Sequence, residues 1–166
     1  MTTSDSSWEA IKQSPGYPSD NRLRQGPVAV IECAQYIPCD VCGSVCPHDA
    51  IQVETICALP ELHEDRCIGC RLCIPVCPGL AIFVVDSTYS SDEALISFPY
   101  ELLPIPQKGD QVNATDRTGA SLVKCPVVEV QKHPSYDHTR IVTIAVPKRF
   151  IEQVRGIAII SRRTAE

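Results

Sequence analysis

Aromatic residues are scarce in this chain: three Phe, five Tyr and one Trp make up 5% of its 166 residues, and methionine occurs once. So little aromatic bulk builds a thin core, and thin cores are commonly supplemented by cross-links or metal. A basic excess is also missing. Fifteen Lys and Arg against twenty Asp and Glu leave a net charge of -5, which opposes nucleic-acid binding, since a phosphate backbone wants a basic surface. No apolar run approaches the length of a bilayer span, so no membrane insertion is expected. The amino terminus, Met1-Thr2-Thr3-Ser4-Asp5-Ser6-Ser7-Trp8-Glu9-Ala10, lacks the basic start and apolar stretch of a secretory leader. The expected compartment is a reducing cytoplasm.

Against these absences stand fourteen prolines and ten cysteines. In a secreted chain ten cysteines would suggest disulfides, but their close, regular spacing points to metal ligation. The run Cys67-Ile68-Gly69-Cys70-Arg71-Leu72-Cys73-Ile74-Pro75-Val76-Cys77-Pro78 reads C-x2-C-x2-C-x3-C-P, the ligand spacing of bacterial two-cluster ferredoxins. Three thiolates two residues apart wrap one face of a 4Fe-4S cube, while the fourth, just before proline, points to a different cube. One such run implies a second. Adding 31 carries Cys39, Cys42 and Cys46-Pro47 onto Cys70, Cys73 and Cys77-Pro78, and Ala50-Ile51 onto Ala81-Ile82. The chain therefore contains an internal repeat. Each half reads as a short strand, a cysteine loop, a helical turn opened by the Cys-Pro step and an apolar Ala-Ile strand. Two halves related by a pseudo-twofold axis would bury two clusters between them.

One ligand breaks the repeat. The residue 31 before Cys67 is Tyr36, and the nearest upstream thiol is Cys33, although Ile31 keeps register with Leu62. The expected sets are Cys67, Cys70, Cys73 and Cys46 for one cluster, and Cys33, Cys39, Cys42 and Cys77 for the other. Without Cys33 the second would be a three-iron cluster or take a non-thiolate ligand, with Cys57 as the fallback thiol. Cys57 and Cys125 otherwise read as small buried hydrophobes. His48, His63, His133 and His138 show no metal-ligand spacing among themselves. Pro47 and Pro78 restrict the cysteines before them to extended geometry, which helps aim Cys46 and Cys77 across the molecule. Gly43 and Gly69 suit loops where backbone approaches a cluster closely, or ordinary turns.

Three segments follow. Residues 1–27 form a polar, proline-marked arm, with a short helix over Trp8–Lys12 capped by Ser7; Trp8 and Tyr17 are candidate anchors for a partner. Residues 28–86 form the dicluster unit. Residues 87–166 carry β-rich runs at 94–98, 111–114, 127–130 and 141–146, separated by turn signals. Pro147 suits the first turn of a helix through Phe150, Ile151 and Val154, stopped by Gly156. The fold class is α+β: a ferredoxin-like pseudo-twofold unit, then a small, mostly antiparallel β-barrel or sandwich with one helix. No nucleophile, base or phosphate loop stands out in the second half. The acidity belongs to the first half, where 5 Lys/Arg face 11 Asp/Glu in residues 1–86, a net of -6. That sign is compatible with docking to a basic redox partner.

The wording around the clusters adds a resemblance. Gly26-Pro27-Val28-Ala29-Val30-Ile31-Glu32-Cys33, Ile37-Pro38-Cys39-Asp40-Val41-Cys42, Cys46-Pro47-His48-Asp49-Ala50-Ile51, Cys77-Pro78-Gly79-Leu80-Ala81-Ile82-Phe83 and Ser97-Phe98-Pro99-Tyr100-Glu101 resemble small 4Fe-4S subunits of flavin-dependent amine and amino-acid dehydrogenases of anaerobic bacteria. In that family the displaced first cysteine is usual, which implies Cys33 as a ligand. Where the family has Pro-Cys-x-Pro-Cys, this chain has Val41. The resemblance implies a hetero-oligomer with FAD-containing subunits of the D-amino-acid or sarcosine oxidase type, and often a small 2Fe-2S protein. The substrates implied are proline, hydroxyproline or related secondary amines, oxidised on a partner. The expectation is a non-catalytic electron-transfer subunit with two 4Fe-4S clusters, relaying electrons between flavins or to an external acceptor. The alternative is a free-standing diffusible ferredoxin with an accessory domain.

Overall fold

A computed structural model describes residues 8–160 of the chain. The Ser7 cap expected for the first helix lies outside that range. The helix itself, α1, spans Trp8–Lys12. A second short helix, α2, spans Asp20–Leu23, its first turn capped by the Ser19 hydroxyl, which accepts from the Arg22 N–H.

Strand β1 (Val28–Ile31) is buried along its whole length. After the first cysteine loop come α3 (Val41–Val45) and β2 (Ile51–Gln52), then β3 (Glu61–Leu62) and β4 (Ile82–Asp86). The unbroken apolar runs Val28–Ile31 and Ile82–Val85 are the pattern of strands covered on both faces. The second half supplies β5 (Glu93–Tyr100), β6 (Gln111–Thr115), β7 (Ser121–Gln131), β8 (Arg140–Pro147) and β9 (Gly156–Ile157).

These strands form a seven-stranded sheet in the order β1-β4-β5-β8-β7-β6-β9, with β2 and β3 a separate pair; every ladder is antiparallel. Of the barrel or sandwich expected for the second half, the barrel is not what forms: among the described residues β1 and β9 lie at opposite ends and the sheet does not close. Strand β7 changes partner along its length, pairing Ser121–Pro126 with β6 and Val127–Gln131 with β8. The register shift between Val127 and Glu129 turns the sheet at that point, as bulges do.

The helix expected after Pro147 is a single 3-10 turn, Lys148–Phe150. Two tertiary bonds win over its propensity. The Arg155 N–H donates to the Thr115 carbonyl at 2.9 Å, and Gly156 pairs with Thr115, so the segment ends as an edge strand. The core reflects the composition: apart from Phe98, its most fully buried large side chains are Ile and Val, among them Ile31, Ile74, Ile82, Ile96 and Ile144. Among the described residues no helix is long and apolar enough to cross a membrane.

The arm is built into this structure. The Pro15 carbonyl accepts from the Leu62 N–H (2.9 Å) and the Gly16 carbonyl from the Ile31 N–H (3.0 Å). Ile31 and Leu62 are repeat partners, so consecutive arm residues tie the two halves together. Trp8 and Tyr17, expected to anchor a partner, meet each other edge-on at 5.5 Å, and the Arg117 guanidinium stacks 4.0 Å from the Trp8 ring.

Candidate metal centre

The 31-residue repeat is visible atom by atom. Ile31 pairs with Ile82, and the equivalent pair Leu62 and Ile51 is formed as well. The Glu32 N–H donates to the Ala81 carbonyl and the His63 N–H to the Ala50 carbonyl, both at 2.8 Å. Asp49 and Leu80, repeat partners that are not glycine, both adopt positive φ, 49° and 52°. Left-handed backbone costs an L-residue roughly 1–2 kcal/mol. Here it turns the chain back so that the Ala50 N–H meets the Cys46 Sγ at 3.3 Å and the Ala81 N–H meets the Cys77 Sγ at 3.4 Å. Repetition of a strained conformation, with the same donor on the same sulfur, ties it to the sulfurs.

Two cavities result. Cys46, Cys67, Cys70 and Cys73 line one, together with Ala29, Gly69 and Val84. Cys33, Cys39, Cys42 and Cys77 line the other, together with Ile31, Ile37 and Pro78. In each, the fourth thiol comes from the opposite motif. Among the described residues no three His, Cys, Asp or Glu side chains converge on a point as for a single ion; the thiols bracket two spaces.

The electrostatics fit that chemistry. Burial pushes the Cys73 thiol well up, and neighbouring Cys67, Cys70 and Cys46 push it further. Burial raises Cys42 to about 11, with Cys77 and Cys39 adding to it, and Cys33 is raised by burial first, with the same two neighbours contributing. Buried thiolates held together repel, and a polynuclear iron core supplies the positive charge that makes such a set favourable.

The remaining cysteines separate clearly. Cys57, expected to be a buried hydrophobe, is exposed and lines neither cavity. Cys125 is buried in β7 opposite Val112, its thiol raised to about 11 by burial. Gly69 owes its identity to packing: φ is +67°, and a Cβ there would sit 2.5 Å from the Pro27 Cβ. Its neighbour is β1's lead-in, so the close approach expected of a cluster loop is to protein.

Arginines that the motifs do not advertise hold both loops. Arg22 of α2 donates to the carbonyls of Cys67 (2.6 Å), Glu64, Gly26 and Pro27. Arg71, between Cys70 and Cys73 at positive φ, reaches the second half and donates to Glu129 Oε2 at 2.6 Å and Thr143 Oγ1 at 3.3 Å. Glu32, immediately before Cys33, is buried and accepts from Arg155 Nε at 2.6 Å and from Arg117 Nε at 2.7 Å. None of these was legible as a site feature, because each joins residues far apart in sequence. The Ala50 and Ala81 donors were half-visible, as equivalent positions of the repeat. The N–H of Ala29, 3.4 Å from Cys67 Sγ, had no signal.

Known proteins resemble parts of this chain. Residues 60–83 match the 4Fe-4S binding domain family, so the second motif carries an iron–sulfur site, and the chemistry it supports is electron transfer. An uncharacterized ferredoxin of Methanocaldococcus jannaschii is 40% identical over 72 residues, covering 39% of this chain and 42% of that protein. The Protein NrfC homolog of Haemophilus influenzae is 40% identical over 43 residues, 26% of this chain and 19% of the homolog. Protein Pixie of Drosophila melanogaster is 28% identical over 94 residues, 53% of this chain and 15% of Pixie. The chain spans less than half the length of these curated relatives. No solved structure matches it.

Proposed function

We propose that this chain is the electron-transfer subunit of a multisubunit FAD-dependent amine or amino-acid dehydrogenase, located in the cytoplasm and holding two 4Fe-4S clusters. The observation that carries the two-cluster reading is the sorting of eight thiols into two cavities, four and four, each completed by a thiol from the other motif. Cys46, Cys67, Cys70 and Cys73 would hold one cluster, and Cys33, Cys39, Cys42 and Cys77 the other. Each cluster supplies a one-electron couple when bound. The protein's part is to ligate it fully, direct backbone N–H groups at its thiolates and keep water from it. Val84 in one cavity and Ile31 and Ile82 in the other, at 3%, 0% and 1% exposure, wall them with apolar surface. The flavin partners rest on the resemblance around the cysteines. The diffusible-ferredoxin reading gains one point from the structure: arm and second half brace the cluster loops through Arg22, Arg71 and Glu32, so their presence need not imply a larger complex.

Anaerobic purification tests the reading. About eight irons per chain follow from two cubes, and about four would sink it. Cys33→Ser should cost one cluster's spectrum and leave the other, whereas Cys57→Ser should change neither iron content nor spectrum. Co-purification with FAD-bearing chains favours the dehydrogenase subunit, and an isolated monomer favours the diffusible carrier.

A further inference from the structure

Displacing one ligand cysteine from position 36 to position 33 leaves an aromatic side chain where the repeat has a thiol. Tyr36 stands 76% exposed, in a run from 34 to 38 that is exposed throughout. Ile37 and Val41, both exposed, line the cavity of Cys33, Cys39, Cys42 and Cys77. Ile56 is 59% exposed, and its carbonyl accepts the Cys39 N–H at 2.8 Å. The outer wall of this cavity is thus an apolar surface with a tyrosine on it. Contiguous exposed apolar surface marks interaction sites, and tyrosine is enriched in interface centres.

Charge identifies the kind of partner. From Gln25 to Asp65 there is no Lys or Arg, while seven Asp or Glu occur. Asp40, Glu54 and Glu61 line one depression beside the apolar surface. Arg22, Arg66 and Arg71 lie at the other motif, and the two arginines at the Cys33 end, Arg117 and Arg155, are both engaged by Glu32. The two cavities therefore open onto surfaces of different character.

We propose that the surface formed by Tyr36, Ile37, Val41 and Ile56, flanked by Asp40 and Glu54, is the docking site for a redox protein whose cofactor edge lies in an apolar patch ringed by Lys or Arg. The proposal rests on the electron-transfer reading and adds the face at which the electron crosses. Complementary charge speeds encounter and orients it. Apolar contact then excludes water between the cofactor edge and Cys39, and the small contact area lets the pair separate after transfer. Each encounter moves one electron between the reduced member and the oxidised member, with no bond made or broken. Moving the ligand to Cys33 frees position 36 for the contact.

Stopped-flow reduction of cytochrome c, a small basic protein with a lysine-ringed haem edge, by the anaerobically photoreduced full-length protein tests this. Wild-type protein should react fastest at low salt and slow as salt screens the encounter. Glu54→Lys/Glu61→Lys lies outside the cysteine loops and should slow the low-salt reaction about tenfold or more and flatten or reverse its salt dependence. Tyr36→Ser/Ile56→Ser should slow the reaction at every salt concentration. Ile68→Ser/Leu72→Ser and Asp65→Lys, near the other cavity, should leave it unchanged. Iron content and cluster spectra of each variant separate docking from cluster loss. Equal rates for wild type and the Tyr36, Ile56, Glu54 and Glu61 variants, all with full iron, would overturn the docking face and leave the electron-transfer reading intact. Slowing by the Ile68/Leu72 variant as large as that of Tyr36/Ile56 would also overturn it. A protein that binds no reducible cluster would overturn both.

Discussion

Ala29 and Pro60 are repeat partners, yet only one of them has an N–H. The Ala29 amide points at Cys67 Sγ from 3.4 Å, and Pro60, which lines the other cavity, has no proton to offer. Hydrogen bonds to cluster sulfurs favour the more negative, reduced state and so raise the potential. With two clusters bound as proposed, Ala29→Pro should therefore lower the potential of the cluster at Cys67 and spare the other. A differential of about 1 kcal/mol for one charge-assisted bond corresponds to roughly 40 mV in a one-electron couple, measurable by EPR-monitored redox titration. The strand pairing survives the change because β1 is an edge strand and this N–H lies outside its ladder; the proline ring takes the place of the proton facing Cys67 Sγ, so the thiolate must shift, and full iron content is the check that the cluster stays bound. Equal shifts of both couples would mean the effect is general loosening. The cysteine motif was readable from the sequence because ligand spacing is local chemistry. The donor was not, because it depends on β1 lying across a loop 38 residues away.

At the scale of elements, the end of β1 is pinned by charge. Glu32 follows β1, Arg117 lies in the β6–β7 turn and Arg155 precedes β9, so three separate segments converge on one carboxylate. The Glu32 and Arg155 side chains are 7% and 3% exposed. Burial pushes the Arg155 guanidinium below its ordinary value while Glu32 opposes the shift. Removing one partner of a buried pair strands the other, at about 3–5 kcal/mol. Glu32→Ala should lose roughly that much in anaerobic urea unfolding of the holoprotein; Lys12→Ala, which breaks the half-exposed pair with Glu152, should lose at most about 1 kcal/mol. Equal losses would refute the assignment. Strands over 94–98, 111–114 and 141–146 and the turn signals between them were legible because alternation and turn chemistry act within a few residues. The helix after Pro147 misled because Arg155 answers to Glu32 and Thr115, which lie far away in sequence.

For the whole molecule, the second half braces what the first half binds. The Arg71 hydrogen bond holds the Glu129 carboxyl below its ordinary range. Its stabilising contribution is therefore present above the unfolded carboxylate value of about 4.3 and is lost only as pH falls through the lower folded value. Between pH 8 and 5 it stays constant. Glu129→Gln should speed anaerobic iron release to a chelator about twofold to fivefold, the range of a partly exposed ion pair, by the same factor across that window. A factor that changes between pH 8 and 5 would assign the control to another group. The sheet carries this brace, since β4 of the cysteine-bearing half pairs directly with β5.

The sequence by itself determined the iron–sulfur chemistry of the second motif and the internal repeat, because ligand spacing and repeat register are properties of the chain in one dimension. It also located most of the strands, through periodicity. Only the tertiary structure decided that the sheet stays open, that the arm wraps the halves it precedes, that Cys57 faces outward, and that Arg71 and Glu32 join the cysteine loops to the second half. Those outcomes depend on hydrogen bonds and ion pairs between residues tens of positions apart. Local patterning carries no trace of such contacts until the chain has folded.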